Sequence, residues 1–157
     1  MREATVDADP DLGGLYAREG DRLWRAVFAY AQDRAITDDA VAEAFAQCLR
    51  RGAAVRDPLA WVWRAAFRLA AGELKERRGR DQLAETRAPD VTGVADVLTA
   101  LAELPGNQRA AAVLHWYAGY GTDDIARMLG IGRGTVRVHL SRARRRLRAL
   151  LDEGEEA

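Results

Sequence analysis

Cysteine, histidine and proline are all scarce in this chain of 157 residues, and each scarcity closes off a class of structure or function. The single cysteine, Cys48, cannot form an intramolecular disulfide, and with His115 and His139 as the only histidines a zinc site of Cys and His ligands is implausible. No metal and no cofactor are expected. Apolar runs stay well short of the roughly 18 to 20 residues that cross a bilayer. The N-terminus, MREATVDADPDLGG, is acidic and lacks the apolar stretch of a signal peptide. These absences predict a soluble, cytoplasmic protein without membrane insertion. With only 4 prolines, 31% charged residues and 48% hydrophobic ones, the composition is that of a folding chain, with room for one domain or two small ones.

The formal charge of zero conceals an uneven distribution. Residues 1–49 carry 5 basic and 10 acidic groups, residues 50–80 carry 9 and 3, and residues 81–98 carry 1 and 4. Residues 99–151 again carry 9 and 3, and the tail 152–157 carries four acids alone. Two basic blocks separated by an acidic stretch suggest two contacts with a polyanion.

Periodicity reads as helix nearly everywhere. From Tyr16 to Ala31, the residues Leu23, Trp24, Val27, Phe28 and Ala31 recur at three- and four-residue steps. Thr37 is a suitable N-cap for a second helix, with Asp38 and Asp39 in its first turn and an apolar stripe of Val41, Ala44, Phe45, Cys48 and Leu49. Gly52 is the expected stop. Asp57-Pro58 opens a third helix whose inner face is Val62, Ala65, Ala66 and Leu69, widened by Trp61, Trp63 and Phe67. Residues 79–93, with three Gly or Pro and no sustained period, read as linker. Helices resume at 94–103 and at about 106–118. The fold class expected is all-α: two small helical domains joined by a flexible linker, the C-terminal one a helix-turn-helix. The expected boundaries are a flexible tail at 1–13, a domain at 14–80, an acidic linker at 81–93, a domain at 94–152 and an acidic tail at 153–157.

The most informative stretch is YGTDDIARMLGIGRGTVRVHLSRARRRLRALL. Thr122 is placed to cap a short helix bearing Ile125, Ala126 and Leu129; Gly130 ends it, Ile131 fills the corner, and a long helix starts within Gly132 to Thr135. Helix, tight turn with Gly, helix is the plan in which the second helix enters the DNA major groove. The long helix has an inner stripe of Val136, Leu140, Ala143, Leu147 and Leu150. At about 100° per residue its opposite side is Val138, Ser141, Arg142 and Arg145, flanked by Arg137. Seven arginines and no acid lie between 133 and 148, and arginine forks onto guanine edges or phosphates.

These residues resemble a known family. Leu104-Pro105, Gln108-Arg109, Ile125-Ala126, Leu129-Gly130, Gly134-Thr135-Val136 and Arg142-Ala143-Arg144 with Leu147 look like the fourth conserved region of bacterial sigma factors of the extracytoplasmic-function (ECF) group. The likeness covers about residues 98–151. Residues 55–78, with Arg56-Asp57-Pro58 and Trp61, are similar to the helix of the second region that recognises and melts the −10 element. ITDDAVAEAFAQCLRR resembles the helix that grips the clamp of the polymerase β′ subunit. The chain departs from the group's pattern at Ala42, Arg68 and Gly72.

The resemblance implies a promoter-specificity subunit that binds core RNA polymerase, through the β′ clamp and the β flap, and directs initiation on promoter DNA. The family has no active site, so no catalytic residue is expected. It implies that Arg137, Val138, Ser141 and Arg142 read the −35 element, with Arg133, Thr135 and Arg145 on phosphates. It implies that Arg51, Arg56, Trp61, Trp63, Arg64 and Arg68 serve the −10 element, where a splayed base needs stacking surfaces and cations. Asp39, Glu43, Gln47 and Arg50 form the expected polymerase-binding face, and an anti-sigma factor is a possible further partner. Two other readings stay open at this level: a helix-turn-helix regulator with residues 1–80 as sensor, and a divergent sigma-like interaction protein that no longer melts promoters. Cys48 reads as a buried small hydrophobe, His115 and His139 as packing or surface residues, and Trp116-Tyr117 as an anchor packing the helix-turn-helix. Gly119 and Gly121 form no phosphate cradle, since no strand precedes them.

Overall fold

The computed structural model describes residues 11–80 and 94–155, with the side chains of 78–80, 94–95 and 153–155 left aside. The linker expected at 81–93 and most of the N-terminal tail lie outside the described residues. Seven α-helices make up the described chain: α1 (Leu12–Ala31), α2 (Arg34–Arg51), α3 (Pro58–Arg80), α4 (Val94–Ala102), α5 (Gly106–Ala112), α6 (Thr122–Leu129) and α7 (Arg133–Glu155). The all-α expectation holds, and no strand occurs among the described residues.

The helix starts are set by caps, and here the sequence reading needs correcting. Helix α1 begins at Leu12, inside the segment expected as tail, because the Asp11 carboxylate accepts from the Gly14 N–H. The cap of α2 is Asp33, whose Oδ1 accepts from the Ile36 N–H at 2.9 Å. Thr37 lies one turn inside the helix, fully buried, its hydroxyl donating to the Asp33 carbonyl. Asp38 and Asp39 are therefore beyond the first turn, and Asp38 instead accepts from the Trp24 indole N–H at 2.7 Å. Asp33 also takes an ion pair from Arg77, tying the start of α2 to the far end of α3. In the same way Thr122 is the first residue of α6 and Gly121 its cap. The stops agree with the reading: Gly52 ends α2 and Gly130, in the left-handed region at φ 68°, ends α6.

Helices α1, α2 and α3 pack on one another around Leu23, Val27, Ala44, Val62, Trp63 and Phe67. Helices α4, α5 and α6 pack against α7 through Leu104, Ala111, Leu114, Ile125, Val136 and Ala143. Between α5 and α6 the chain widens into one π-helical turn, Val113–Tyr117, and its Val113 carbonyl is reached by the Ala118 N–H. The buried residues of the two halves join into one hydrophobic cluster, because α1 touches α4, α5 and the π turn while α3 lies against α6.

Three burial expectations fail. Leu49, expected on the inner stripe of α2, is 57% exposed, because the stripe rotates off the core before the helix ends. Phe45 is only half-buried, edge-on to Tyr16. Trp116 and Tyr117, expected as packing anchors, are 43% and 44% exposed and line an apolar groove of about 730 Å³ together with Trp24, Phe28 and Val97. Cys48 is fully buried as expected, and burial pushes its thiol pKa up.

The caps make a direct test. Asp33→Ala should destabilise the fold by about 0.5–2 kcal/mol, the usual cost of losing an N-cap. Asp33→Asn keeps the capping oxygen and drops only the exposed pair with Arg77, so it should stay within about 1 kcal/mol of the parent. Urea unfolding followed by circular dichroism measures both. Equal losses would place the stabilisation in the ion pair.

Candidate nucleic-acid interface

The site is built on α7. Val136 and Ala143 are fully buried on its inner side, with Leu140, Leu147 and Leu150 half-buried on the same stripe. Because those positions must face α4, α5 and α6, the helix cannot roll, and the opposite side is committed to solvent. Arg137, Val138, Ser141, Arg142 and Arg145 are all exposed there, in one continuous strip. Val138 is an exposed apolar residue among these cations.

The flanking cations are in different situations. Arg133, at the first turn of α7, pairs with Asp123 of α6 at 3.0 Å, and both partners are well exposed. Thr135 is exposed beside it. Arg144 lies off the strip with its guanidinium over the Trp116 ring at 5.5 Å. His139 is half-buried, so it does not share the exposed strip.

A second cationic surface lies on the first half. Gln47 and Arg51 at the end of α2 face Trp61, Arg64, Ala65, Arg68 and Leu69 of α3 across a cavity of about 360 Å³. The Arg51 guanidinium sits 5.5 Å above the Trp61 ring, and Trp61 is half-buried with its apolar edge on the core. An aromatic face rimmed by three arginines suits a stacked, anionic nucleotide. Arg56 is exposed in the turn before α3, next to Asp57, whose Oδ1 accepts from the Ala60 N–H at 3.2 Å. Trp63 does not belong to this surface. It is 1% exposed, stacked on Phe67 and edge-on to Tyr120, so the expectation that it serves DNA is corrected.

The third surface is the outer side of α2. Asp39 and Arg50 are exposed, and Glu43 and Gln47 are partly so. Glu43 is the hub: its Oε1 accepts from the Gln47 amide at 3.1 Å and from Arg50 at 2.8 Å. Those two hydrogen bonds, the Gln47 one foremost, lower its pKa below the usual carboxylate value. Ala42 and Leu49 are exposed and Ala46 partly exposed alongside, so an apolar strip accompanies the polar one. The sequence reading missed this strip because Leu49 completed an inward stripe by spacing alone.

Comparison with known proteins then decides the family. Residues 95–147 match the description "Sigma-70, region 4". ECF RNA polymerase sigma factor SigL of Mycobacterium tuberculosis is 30% identical over 158 residues, covering 90% of this chain and 89% of its own length. SigM of the same organism is 33% identical over 152 residues, covering 87% of this chain and 75% of that protein. The chain belongs to the ECF RNA polymerase sigma factors. Membership makes it a promoter-specificity subunit of RNA polymerase. Two solved structures share the fold of this sigma factor. The sigma factor RpoE in complex with the anti-sigma factor NepR, from Bartonella quintana, superposes with a TM-score of 0.78 at 19% identity over 90% of this chain and 97% of that one. CnrH in complex with the cytosolic domain of CnrY gives 0.71 at 26% identity over 90% and 88%. No described helix is long and apolar enough to cross a membrane, and no cluster of potential metal ligands occurs among the described residues.

Salt dependence separates the cations of α7. Arg133→Ala should reduce the slope of log affinity against log salt on duplex DNA by about 0.9, the share of one phosphate contact. Arg144→Ala, held over Trp116, should leave the slope unchanged. Fluorescence anisotropy titrations over a range of salt measure both, and equal reductions would mean that the arginines act only as a diffuse field.

Proposed function

We propose that this sigma factor reads two promoter elements with two domains, 14–80 and 94–152, joined by the segment 81–93. In the C-terminal domain Arg137, Val138, Ser141 and Arg142 contact base edges of the −35 element, while Arg133, Thr135 and Arg145 hold phosphates. The observation that carries this reading is the division of α7 into a buried apolar stripe and an exposed strip with four cationic or hydroxyl side chains. Such a strip at the second helix of a helix-turn-helix matches the depth of the major groove.

In the N-terminal domain the cavity between Arg51, Trp61, Arg64 and Arg68, with Arg56 nearby, holds an unstacked base of the −10 element. The Trp61 ring offers the stacking face and the arginines offer phosphate contacts. Asp39, Glu43, Gln47 and Arg50 dock on the β′ clamp of core polymerase, with Ala42, Ala46 and Leu49 giving that contact an apolar centre. The C-terminal domain rests on the β flap. The polymerisation chemistry belongs to the core enzyme, and no side chain here is assigned a catalytic role. An anti-sigma protein is the partner class supported by the solved neighbours, RpoE being in complex with the anti-sigma factor NepR and CnrH with the cytosolic domain of CnrY. The cytoplasm is the compartment in which such a subunit meets core polymerase and promoter DNA.

In-vitro transcription with core polymerase tests the whole reading, because only a working sigma factor produces specific starts. Within that assay Arg142→Ala or Arg137→Ala should cost about 1–3 kcal/mol and relax preference at one −35 position. Arg146→Ala, well off the centre of the strip, should do neither. On the other domain, Asp39→Arg with Glu43→Arg should leave the circular dichroism spectrum unchanged, since neither residue faces the core. Core binding should fall at least about tenfold through the introduced like charges, with loss of run-off transcripts. A double variant that assembles holoenzyme normally would move the clamp contact elsewhere.

A further inference from the structure

We infer that the cavity between α2 and α3 is also a binding site for a free nucleoside triphosphate. The inference rests on the reading of that cavity as the site of the −10 base, and it adds a second occupant. At about 360 Å³ the cavity lies within the roughly 300–1,000 Å³ of small-molecule sites. Its α3 wall follows from helical spacing, since Trp61, Arg64, Ala65, Arg68 and Leu69 recur at three- and four-residue steps and share one face. Ala65 is buried and Leu69 half-buried, which gives the cavity an apolar floor, while Arg64 and Arg68 are exposed at its rim. From α2 come Gln47 and Arg51, and the Arg51 guanidinium lies 5.5 Å from the centre of the Trp61 ring.

Charge decides the class of ligand. Arg51, Arg64 and Arg68 line the cavity, and no acid does among the described residues. None of the three takes part in an ion pair of the described residues, whereas their neighbour Arg50 is held by Glu43 at 2.8 Å. Arg64 also borders a second cavity, of about 290 Å³, which Asp57 and Asp124 line. Both acids have other partners there. Asp57 accepts from the Ala60 N–H at 3.2 Å, and Asp124 pairs with Arg127 at 3.0 Å.

Three uncompensated cations exceed what one DNA nucleotide needs. A splayed base with a phosphate on either side brings about two negative charges, one per phosphate. A nucleoside triphosphate brings about four, its terminal phosphate contributing up to two. Guanidinium groups fork onto phosphate oxygens, and the Trp61 ring with the guanidinium plane upon it is a platform on which any base stacks. Gln47 donates its amide N–H to Glu43 at 3.1 Å, which leaves its Oε1 acceptor for the amino group of a base. A free nucleotide seated in this way excludes the splayed base.

Calorimetric titration of the full chain tests this. GTP should bind about five- to 150-fold more tightly than inorganic triphosphate, the share that stacking of the base contributes. It should also bind at least about tenfold more tightly than GMP, because fewer phosphates engage fewer arginines. ATP should match GTP within about threefold, since stacking tolerates either base. Arg64→Ala with Arg68→Ala, both exposed, should weaken GTP at least about tenfold, while Arg148→Ala on α7 should leave it unchanged. Trp61→Ala should remove the advantage of GTP over triphosphate; if that variant folds poorly, Trp61→Phe should fold and retain the advantage through its ring. A labelled single-stranded oligonucleotide carrying the −10 element, followed by anisotropy, should be displaced by GTP. Absence of GTP binding, equal affinity for GTP and triphosphate, or equal losses from Arg148→Ala and the double variant would each overturn the inference. An oligonucleotide bound through Arg64 and Arg68 by a chain that takes no GTP would overturn it too, leaving the −10 reading intact. GTP binding that the double variant abolishes, with no displacement of the oligonucleotide, keeps the nucleotide site and moves the −10 base elsewhere.

Discussion

The burial of Val136 and Ala143 is the constraint on which the interface depends. Both are small, so α7 approaches α5 and α6 closely, and both are wholly sealed from water. A helix fixed at two points seven residues apart on one side has no freedom to rotate. Seven arginines on a helix that could roll would give an electrostatic smear. On a fixed helix, five outward positions acquire a defined order along the exposed face. Enlarging either small residue would push α7 off its neighbours and lose the register of the strip before it lost the fold.

Electrostatics supply attraction and packing supplies aim. Ion pairs among the described residues join partners that are at least partly exposed, including Arg50 with Glu43, Arg127 with Asp124 and Arg133 with Asp123. Pairs of that kind contribute little to stability and are weakened by salt. What they do is position the Arg133 and Arg50 guanidinium groups beside Asp123 and Glu43. Arg137, Arg142 and Arg145 of the outward strip take part in none of these pairs, so they present their charge outward. A net charge of zero therefore coexists with strongly cationic local surfaces, because the balancing acids sit elsewhere in the chain.

The places where reading the sequence went astray share a cause. Asp33 and Thr37 are both good cap residues one turn apart, and propensity does not choose between them. The choice falls to Asp33 because α1 ends at Gln32 and Arg77 of α3 reaches the same carboxylate. Trp61 and Trp63 stand two residues apart on one helix, and the pattern allowed either to face DNA. Trp63 is sealed by Phe67 of its own helix and Tyr120 of the other half, a neighbour 57 residues later in the chain. Leu49, read as inward by spacing, is exposed because the α2 stripe has rotated off the core, and Trp116 and Tyr117, read as packing anchors, line the open apolar groove instead.

What the sequence determined by itself was everything carried by short-range chemistry. The helices followed from three- and four-residue spacing, their stops from glycines tolerant of positive φ, and the two faces of α7 from a period that burial could satisfy in only one way. The family resemblance rode on the same local residues. Only the tertiary structure decided which of two equivalent caps is used, which tryptophan is sealed, and that Arg22 and Gln32 bridge the halves. Each of those depends on a partner more than 40 residues away in the chain, and local periodicity holds no record of what such a partner brings.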